Sequence, residues 1–162
     1  MELLVIRHAI AVDRTEDVAD ADRPLTDRGR RRFREVVSGL RAVGLRVELV
    51  LSSPWLRAAQ TAELLAPIIL DHAAPRASAL LAAEPGPELI AELAATGATR
   101  LAVVGHEPWL GELVASLTSG EPRHGEAVPL KKGGVAILEG APTPGGMVLR
   151  ALLPPWISRQ LA

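Results

Sequence analysis

The chain has no cysteine and no tyrosine, and only 2% of its residues are aromatic: three tryptophans and one phenylalanine. Without cysteine there can be no disulfide, no thiolate nucleophile and no thiolate metal site. With so few rings the core must be built from Leu, Val, Ile and Ala, and a surface that stacks nucleic-acid bases on aromatics is out of reach. Neither sign of charge is in excess. Lys and Arg number 18 against 19 Asp and Glu, for a net charge of −1. That balance offers no global field to attract nucleic acid or an anionic membrane. Long apolar runs are missing as well: the stretch around Leu64 to Leu70 is broken by Pro67 and is too short to span a bilayer. The first strand is expected to begin at Glu2, which leaves no room for a secretory leader. A soluble, cytoplasmic protein is expected, with neither nucleic acid nor membrane as partner.

What is present suits one folded domain over residues 1–162, with 48% hydrophobic residues. Apolar, β-branched runs at Leu3–Ile6, Val47–Leu51, Leu101–Val104, Val135–Leu138 and Met147–Leu152 predict strands, and Arg76–Ala79 predicts a short further one. Between them Phe33, Val36, Val37, Leu40 and Val43 follow helical spacing, with Thr26 as N-cap and Gly44 as stop. Further helices are expected at Trp55–Ala66, Pro87–Ala95 and Trp109–Leu117. Strands alternating with helices predict an α/β fold, a three-layer α/β/α sandwich around a mostly parallel sheet. The turn-rich "EGAPTPGG" is too short for a helical crossover, so the last two strands should form an antiparallel edge. The polar segment Val12–Arg23 reads as a long loop over the top of the sheet.

Ionisable groups recur at the connections that follow strands. "VIRHA" carries Arg7 and His8; "VLSSPWLRAAQTA" carries Arg57 one turn into its helix; "LAVVGHEPWL" carries His106. In an open parallel sheet all three connections lie at the carboxyl ends of the strands, where such folds bind ligands, and helix N-termini add donors there. Two arginines, two histidines and helix dipoles in a nearly neutral protein predict a phosphate site. A histidine there can attack phosphorus through Nε2 if a hydrogen bond holds the proton on its other nitrogen. Arg7 and Arg57 would clamp phosphoryl oxygens bidentately, and a protonated His106 would supply a further donor. No metal is needed. The four histidines show no metal-ligand spacing, and His72 and His124, in Pro- and Gly-flanked loops, are expected to be solvated. The arginine-rich run "RGRRRFR" reads as the exposed face of a helix, with docking of an acidic partner as the alternative. For Trp55 and Trp109 the pocket rim and the core are both open.

At these residues the sequence resembles the histidine phosphatase superfamily of phosphatases and phosphoglycerate mutases, and within it the SixA-type phosphohistidine phosphatases. The matching stretches are "LLVIRHAIA", "RPLTDRGRRR", "LVLSSPWLRAAQTAELL", "LAVVGHEPWLGELVASL" and "LKKGGVAILE", in the family's order. The resemblance implies a phosphoglycerate mutase-like fold, a cofactor-independent reaction, and His8 as the residue that becomes phosphorylated. It places Arg7, Arg57 and His106 in the phosphate pocket, with Arg23 of "RPLT" reaching it. It implies Glu84 as general acid, with Glu107 as the alternative. Two departures stand out. Ala9 follows His8 where the superfamily usually has Gly, and the large helical insertion that closes the mutase pocket is absent. An open site suits a phosphate carried on a protein, so phosphohistidine on a signalling or carrier protein, such as a histidine-phosphotransfer domain, is the expected substrate. A small phosphate ester or nucleotide is the alternative within enzymes, and a non-catalytic phosphoprotein-binding module the alternative outside them.

Overall fold

Alternate residues of a strand face opposite sides of its sheet, and here that alternation divides the core. In the computed structural model, which describes every residue from Met1 to Ala162, β1 (Glu2–Arg7) turns Leu4 and Ile6 to one side and Leu3 and Val5 to the other. Strand β4 (Arg100–Gly105) does the same with Ala102 and Val104 against Leu101 and Val103. On the first side the core is closed by Phe33, Val36, Val37 and Leu40 of α1 (Asp27–Ala42) and by Ala58 and Ala62 of α2 (Leu56–Glu63). On the second it is closed by Leu89 and Leu93 of α3 (Pro87–Ala95) and by Leu110, Leu113, Val114 and Leu117 of α4 (Trp109–Ser119). Central strands covered on both faces must be apolar throughout, as "LLVI" and "LAVV" are.

The sheet order is β3 (Arg76–Ala77), β2 (Leu49–Ser52), β4, β1, β5 (Val135–Gly140), β6 (Met147–Leu153). Strands β3, β2, β4 and β1 pair in parallel, while β5 runs antiparallel to β1 and β6 antiparallel to β5. The expected three-layer sandwich with an antiparallel edge is therefore the fold, without a large helical insertion. A short α5 (Pro155–Ser158) follows β6 and packs on α1. No helix is long and apolar enough to cross a membrane.

Some boundaries differ from expectation, for local reasons. The strand expected from Val47 begins at Leu49, because Val47 forms an isolated bridge with Ile69 instead. The helix expected to reach Ala66 ends at Glu63 and gives way to a tighter turn over Ala66–Ile68. Pro67 accounts for this, since in a continued helix its ring would meet the carbonyl four residues earlier, that of Glu63. The strand expected over Arg76–Ala79 is two residues long. The segment Val12–Arg23 is a loop as expected, apart from one 3-10 turn at Asp20–Asp22.

The start of α1 is tied to the segment that leaves β1. The Thr26 hydroxyl accepts from the Gly29 N–H at 2.9 Å, and the Thr26 N–H donates to the Ile10 carbonyl at 3.0 Å. Gly29 has to be glycine for this approach, because a methyl group there would overlap the carbonyl oxygen of Ile10. At the other end Gly44, at φ 85°, takes the left-handed conformation that stops the helix. The chain just after His8 is thereby held between the sheet and α1.

Candidate active site

Strands β2, β4 and β1 are neighbours, so the connections at their carboxyl ends converge. His8 follows β1 and is 6% exposed; Arg57, in the first turn of α2, is 3% exposed; His106 follows β4 and is 4% exposed. Backbone bonds fix this junction: His8 N–H donates to Gly105 O at 3.1 Å, Ser53 N–H to Val104 O at 2.9 Å, and Gly133 N–H to the carbonyls of Arg7 and His8, each at 3.1 Å. Arg7, His8, Arg57 and His106 line one cavity of about 320 Å³ together with Arg14, Arg23, Trp55, Glu107, Trp109 and Lys132.

The tautomer of His8 follows from its two partners. Nδ1 lies 2.7 Å from the Ala9 carbonyl, which can only accept, so the proton sits on Nδ1. Arg57 Nε–H donates to Nε2 at 3.2 Å, so Nε2 presents its lone pair. Burial, opposed by the Ala9 carbonyl and reinforced by Arg57, Arg7 and Lys132, pushes the His8 pKa down to about 4. The imidazole is neutral at neutral pH, with its lone pair on the nitrogen that accepts from Arg57. Thr61 steadies it: its hydroxyl accepts from Ala9 N–H at 3.0 Å and donates to the Arg57 carbonyl at 2.6 Å.

His106 is 5.2 Å from His8 between ring centroids, and its Nε2 meets the Ser53 hydroxyl at 2.8 Å. That hydroxyl also accepts from Trp55 N–H at 3.3 Å. The arrangement that satisfies all three has Ser53 donating to Nε2, which leaves the proton on Nδ1. His106 Nδ1 is buried and has no partner in the protein. The imidazolium expected from sequence is not the state of the free site: burial, then His8 and Arg57, push the His106 pKa down to about 3. Its donor is a neutral N–H.

The arginines also depart from the simple clamp. Arg7 spends Nη1 on the Leu130 carbonyl at 2.7 Å and keeps a buried, unpartnered Nε. Arg57 is fully engaged: Nη1 donates to the Asp20 backbone carbonyl and Nη2 to the Asp20 carboxylate at 3.3 Å, beside the bond from Nε to His8. The same carboxylate takes Arg23 Nε at 2.7 Å and Arg14 Nη2 at 3.1 Å. Burial works against its ionisation, yet the bonds from Arg14 and Arg23 and the charge of Arg57 hold its pKa down to about 2. Asp20 thus sets a carboxylate of the protein among three arginines that border the cavity. Arg23 does line the cavity, as expected, but its Nε and Nη1 are spent on Asp20 and the Val12 carbonyl.

The two glutamates named as acids are placed differently. Glu84 is exposed and is not among the cavity's lining residues; its charge instead bears on Glu112, which lines the neighbouring cleft with Arg7 and Glu107. Glu107 lines the cavity, but both carboxylate oxygens accept backbone N–H groups, Leu130 at 2.6 Å and Gly111 at 3.1 Å. It holds the Leu130 loop, whose carbonyl in turn holds Arg7. Trp55 and Trp109 belong to the rim: the Arg57 guanidinium lies over the Trp55 ring at 4.6 Å, His106 meets that ring at 4.5 Å with a 48° tilt, and Trp109 meets Trp55 edge-on at 6.0 Å. Sequence reasoning missed Asp20, Arg14, Ser53, Thr61 and Lys132. Ser53 and Thr61 lie inside the quoted "SSPWLRAAQTA" and Lys132 inside "LKKGG", so the motif stretches held that signal; nothing marked Asp20 among the loop's acidic residues.

With this geometry in place the comparisons are specific. The family model "Histidine phosphatase superfamily (branch 1)" matches residues 3–73. An uncharacterised protein of Picosynechococcus is 40% identical over 144 residues, covering 83% of this chain and 82% of its own. The solved structure of the protein histidine phosphatase SixA complexed with tungstate is similar at TM-score 0.80 and 26% identity, over 96% of this chain and 98% of that one. The α-ribazole phosphatase of Shigella flexneri shares the fold at TM-score 0.70 and 21% identity, over 96% and 97%. The chain belongs to the histidine phosphatase superfamily, in the small SixA-type form, and its coarse activity is that of a phosphatase.

Three outcomes follow from this geometry. In NMR titration of the free protein the His8 ring should titrate near pH 4, and a midpoint near the ordinary 6.5 would contradict its buried, neutral state. Because the folded state then binds fewer protons than the unfolded one between these values, acidification from 6.5 to 4 should also lower stability. Asp20→Asn, which removes the internal anion and keeps its shape, should tighten binding of inorganic phosphate by about threefold or more in calorimetry. Weaker binding would instead mean that Asp20 serves to hold Arg57 in place.

Proposed function

We propose that the protein removes phosphate from phosphohistidine on a carrier or signalling protein, through a phosphorylated His8. The observation that carries this is the pairing of a poised nucleophile with a cavity whose own lining holds no carboxyl group free to give a proton; Glu112, the carboxyl whose pKa burial raises, lines the neighbouring cleft with Arg7 and Glu107. His8 Nε2 has its lone pair presented by the Nδ1 bond to Ala9. Glu84 lies outside the cavity, Glu107 is bound on both oxygens, and Asp20 is held ionised. An alkoxide leaving group needs a proton from the site. The imidazole of phosphohistidine does not, because its second nitrogen takes a proton from solvent and the ring then leaves neutral. The aromatic rim of Trp55 and Trp109 suits a flat leaving group, and the similar SixA, which bound the oxyanion tungstate, is named a protein histidine phosphatase.

The chemistry divides in two. Nε2 of His8 attacks phosphorus in line; the bond from phosphorus to the substrate nitrogen breaks, and its electron pair returns to the departing imidazole. Arg57, released from Asp20 and from Nε2 of His8, and Arg7 take the phosphoryl oxygens, with His106 as a further donor. Water then attacks phosphorus, the bond to Nε2 breaks, and inorganic phosphate leaves while the water's proton passes to phosphate or solvent. His8 regains its lone pair, and no cofactor takes part.

Release of inorganic phosphate from a histidine-phosphorylated carrier, measured beside simple alkyl and aryl phosphates, tests this. Wild type should favour the carrier, His8→Ala should lose at least about a thousandfold of it, and Glu84→Ala should stay within about twofold of wild type. Faster turnover of the esters, with Glu84→Ala damaging the alkyl phosphate, would instead make the protein a phosphatase of small esters or nucleotides. Tight binding of the phosphoprotein with no hydrolysis would make it a binding module.

A further inference from the structure

Of the four aromatic side chains, Phe33 is in the core and Trp55 and Trp109 line the catalytic cavity, which leaves Trp156 of α5, 56% exposed, without a part in either. A single exposed aromatic needs no explanation, but the company of this one is unusual. Trp156 lines a cleft of about 190 Å³ between α1 and α5 with Arg32, Arg159 and Lys132. Lys132 lines both this cleft and the cavity around His8, and the cleft also reaches Ala9, the residue next to His8. Arg28, exposed one turn before Arg32, adds a cation on the same side of α1. Two carboxylates of α1 lie among them, Asp27 beside Arg28 in sequence and Glu35, which pairs with Arg159 at 3.6 Å. In a chain of net charge −1 this is a local concentration of cations, and it adjoins the mouth of the active site.

We propose that the α1–α5 face is the docking surface for the phosphoprotein substrate, and that the substrate's own surface there is acidic. Trp156 is the anchor, Arg28, Arg32 and Arg159 are the charged surround, and Lys132 joins that surface to the phosphate pocket. Tryptophan and arginine are the residues that most often dominate protein interfaces, and a basic face beside an open site draws in an acidic partner and repels a basic one. None of Arg32, Trp156 and Arg159 touches the reacting atoms. This docking face presupposes the phosphohistidine chemistry proposed above.

The test compares kcat/KM for three substrates: phosphoimidazole, an acidic histidine-phosphotransfer domain phosphorylated on histidine, and a basic carrier phosphorylated on histidine. Wild type should prefer the acidic protein. Arg32→Glu and Trp156→Ala should each lower kcat/KM for that protein on the order of tenfold, mainly through KM, and leave phosphoimidazole hydrolysis and the melting temperature unchanged. If wild type favours the acidic protein and both variants keep that preference, the docking face is wrong and the phosphohistidine activity stands. If wild type cleaves neither phosphoprotein faster than phosphoimidazole, the proposed activity falls and the docking face with it. A wild-type dimer that Trp156→Ala splits would overturn the proposal by showing that the cleft holds a second copy of the chain.

Discussion

The hydrogen bond from His8 Nδ1 to the carbonyl of its neighbour Ala9, at 2.7 Å, decides which nitrogen can react, and the rest of the site is arranged around that choice. A neutral imidazole has one proton and one lone pair, so pinning the first aims the second. The bond is local, but keeping it requires distant parts of the fold. Thr61 of α2 holds the Ala9 N–H, Gly105 at the end of β4 holds the His8 N–H, and Gly133 before β5 holds the His8 carbonyl. Thr61 lies on a helix packed on the sheet through Ala58 and Ala62, while Gly105 ends one apolar strand of the sheet and Gly133 leads into another. A core almost free of aromatics thereby sets the orientation of one ring.

The second constraint is electrostatic. Burying Arg57 and two histidines together has a desolvation cost, which is partly offset here in two ways: both histidines are neutral, and Asp20 supplies the missing negative charge. The resting site is thus a closed set of ion pairs spanning Arg14, Arg23, Arg57 and Asp20. An incoming phosphoryl group competes with Asp20 for Arg57. Arg7 Nε and His106 Nδ1 are buried without protein partners, two polar atoms at the site that the protein itself leaves unmatched.

The sheet and the four central residues were legible in the sequence for the same reason. Buried parallel strands are near-continuous apolar runs, and Arg7, His8, Arg57 and His106 each follow one at a short, fixed distance, so the topology alone brings them together. Asp20 was not legible, because its partners depend on the path of a loop without hydrophobic periodicity, where Asp17, Asp20 and Asp22 look alike. For Glu84 the distance from a strand was readable and the direction of the extended segment was not, and the cavity lining does not include it. Glu107 lines the cavity, but only the fold reveals that its oxygens are spent on the N–H groups of Leu130 and Gly111. His106 was found while its charge was not, since burial, and not its neighbours in sequence, sets its protonation.

The most direct test of the account is to trap the enzyme during turnover. Wild type mixed with a radiolabelled histidine-phosphorylated carrier, quenched in alkali within milliseconds and digested, should carry the label on one peptide, with phosphorus bonded to Nε2 of His8. The label should be stable to base, lost in acid, and formed and consumed at rates that account for release of inorganic phosphate. Phosphate release without any labelled His8, or a label on another side chain, would contradict the nucleophile that the hydrogen bonds of the site define.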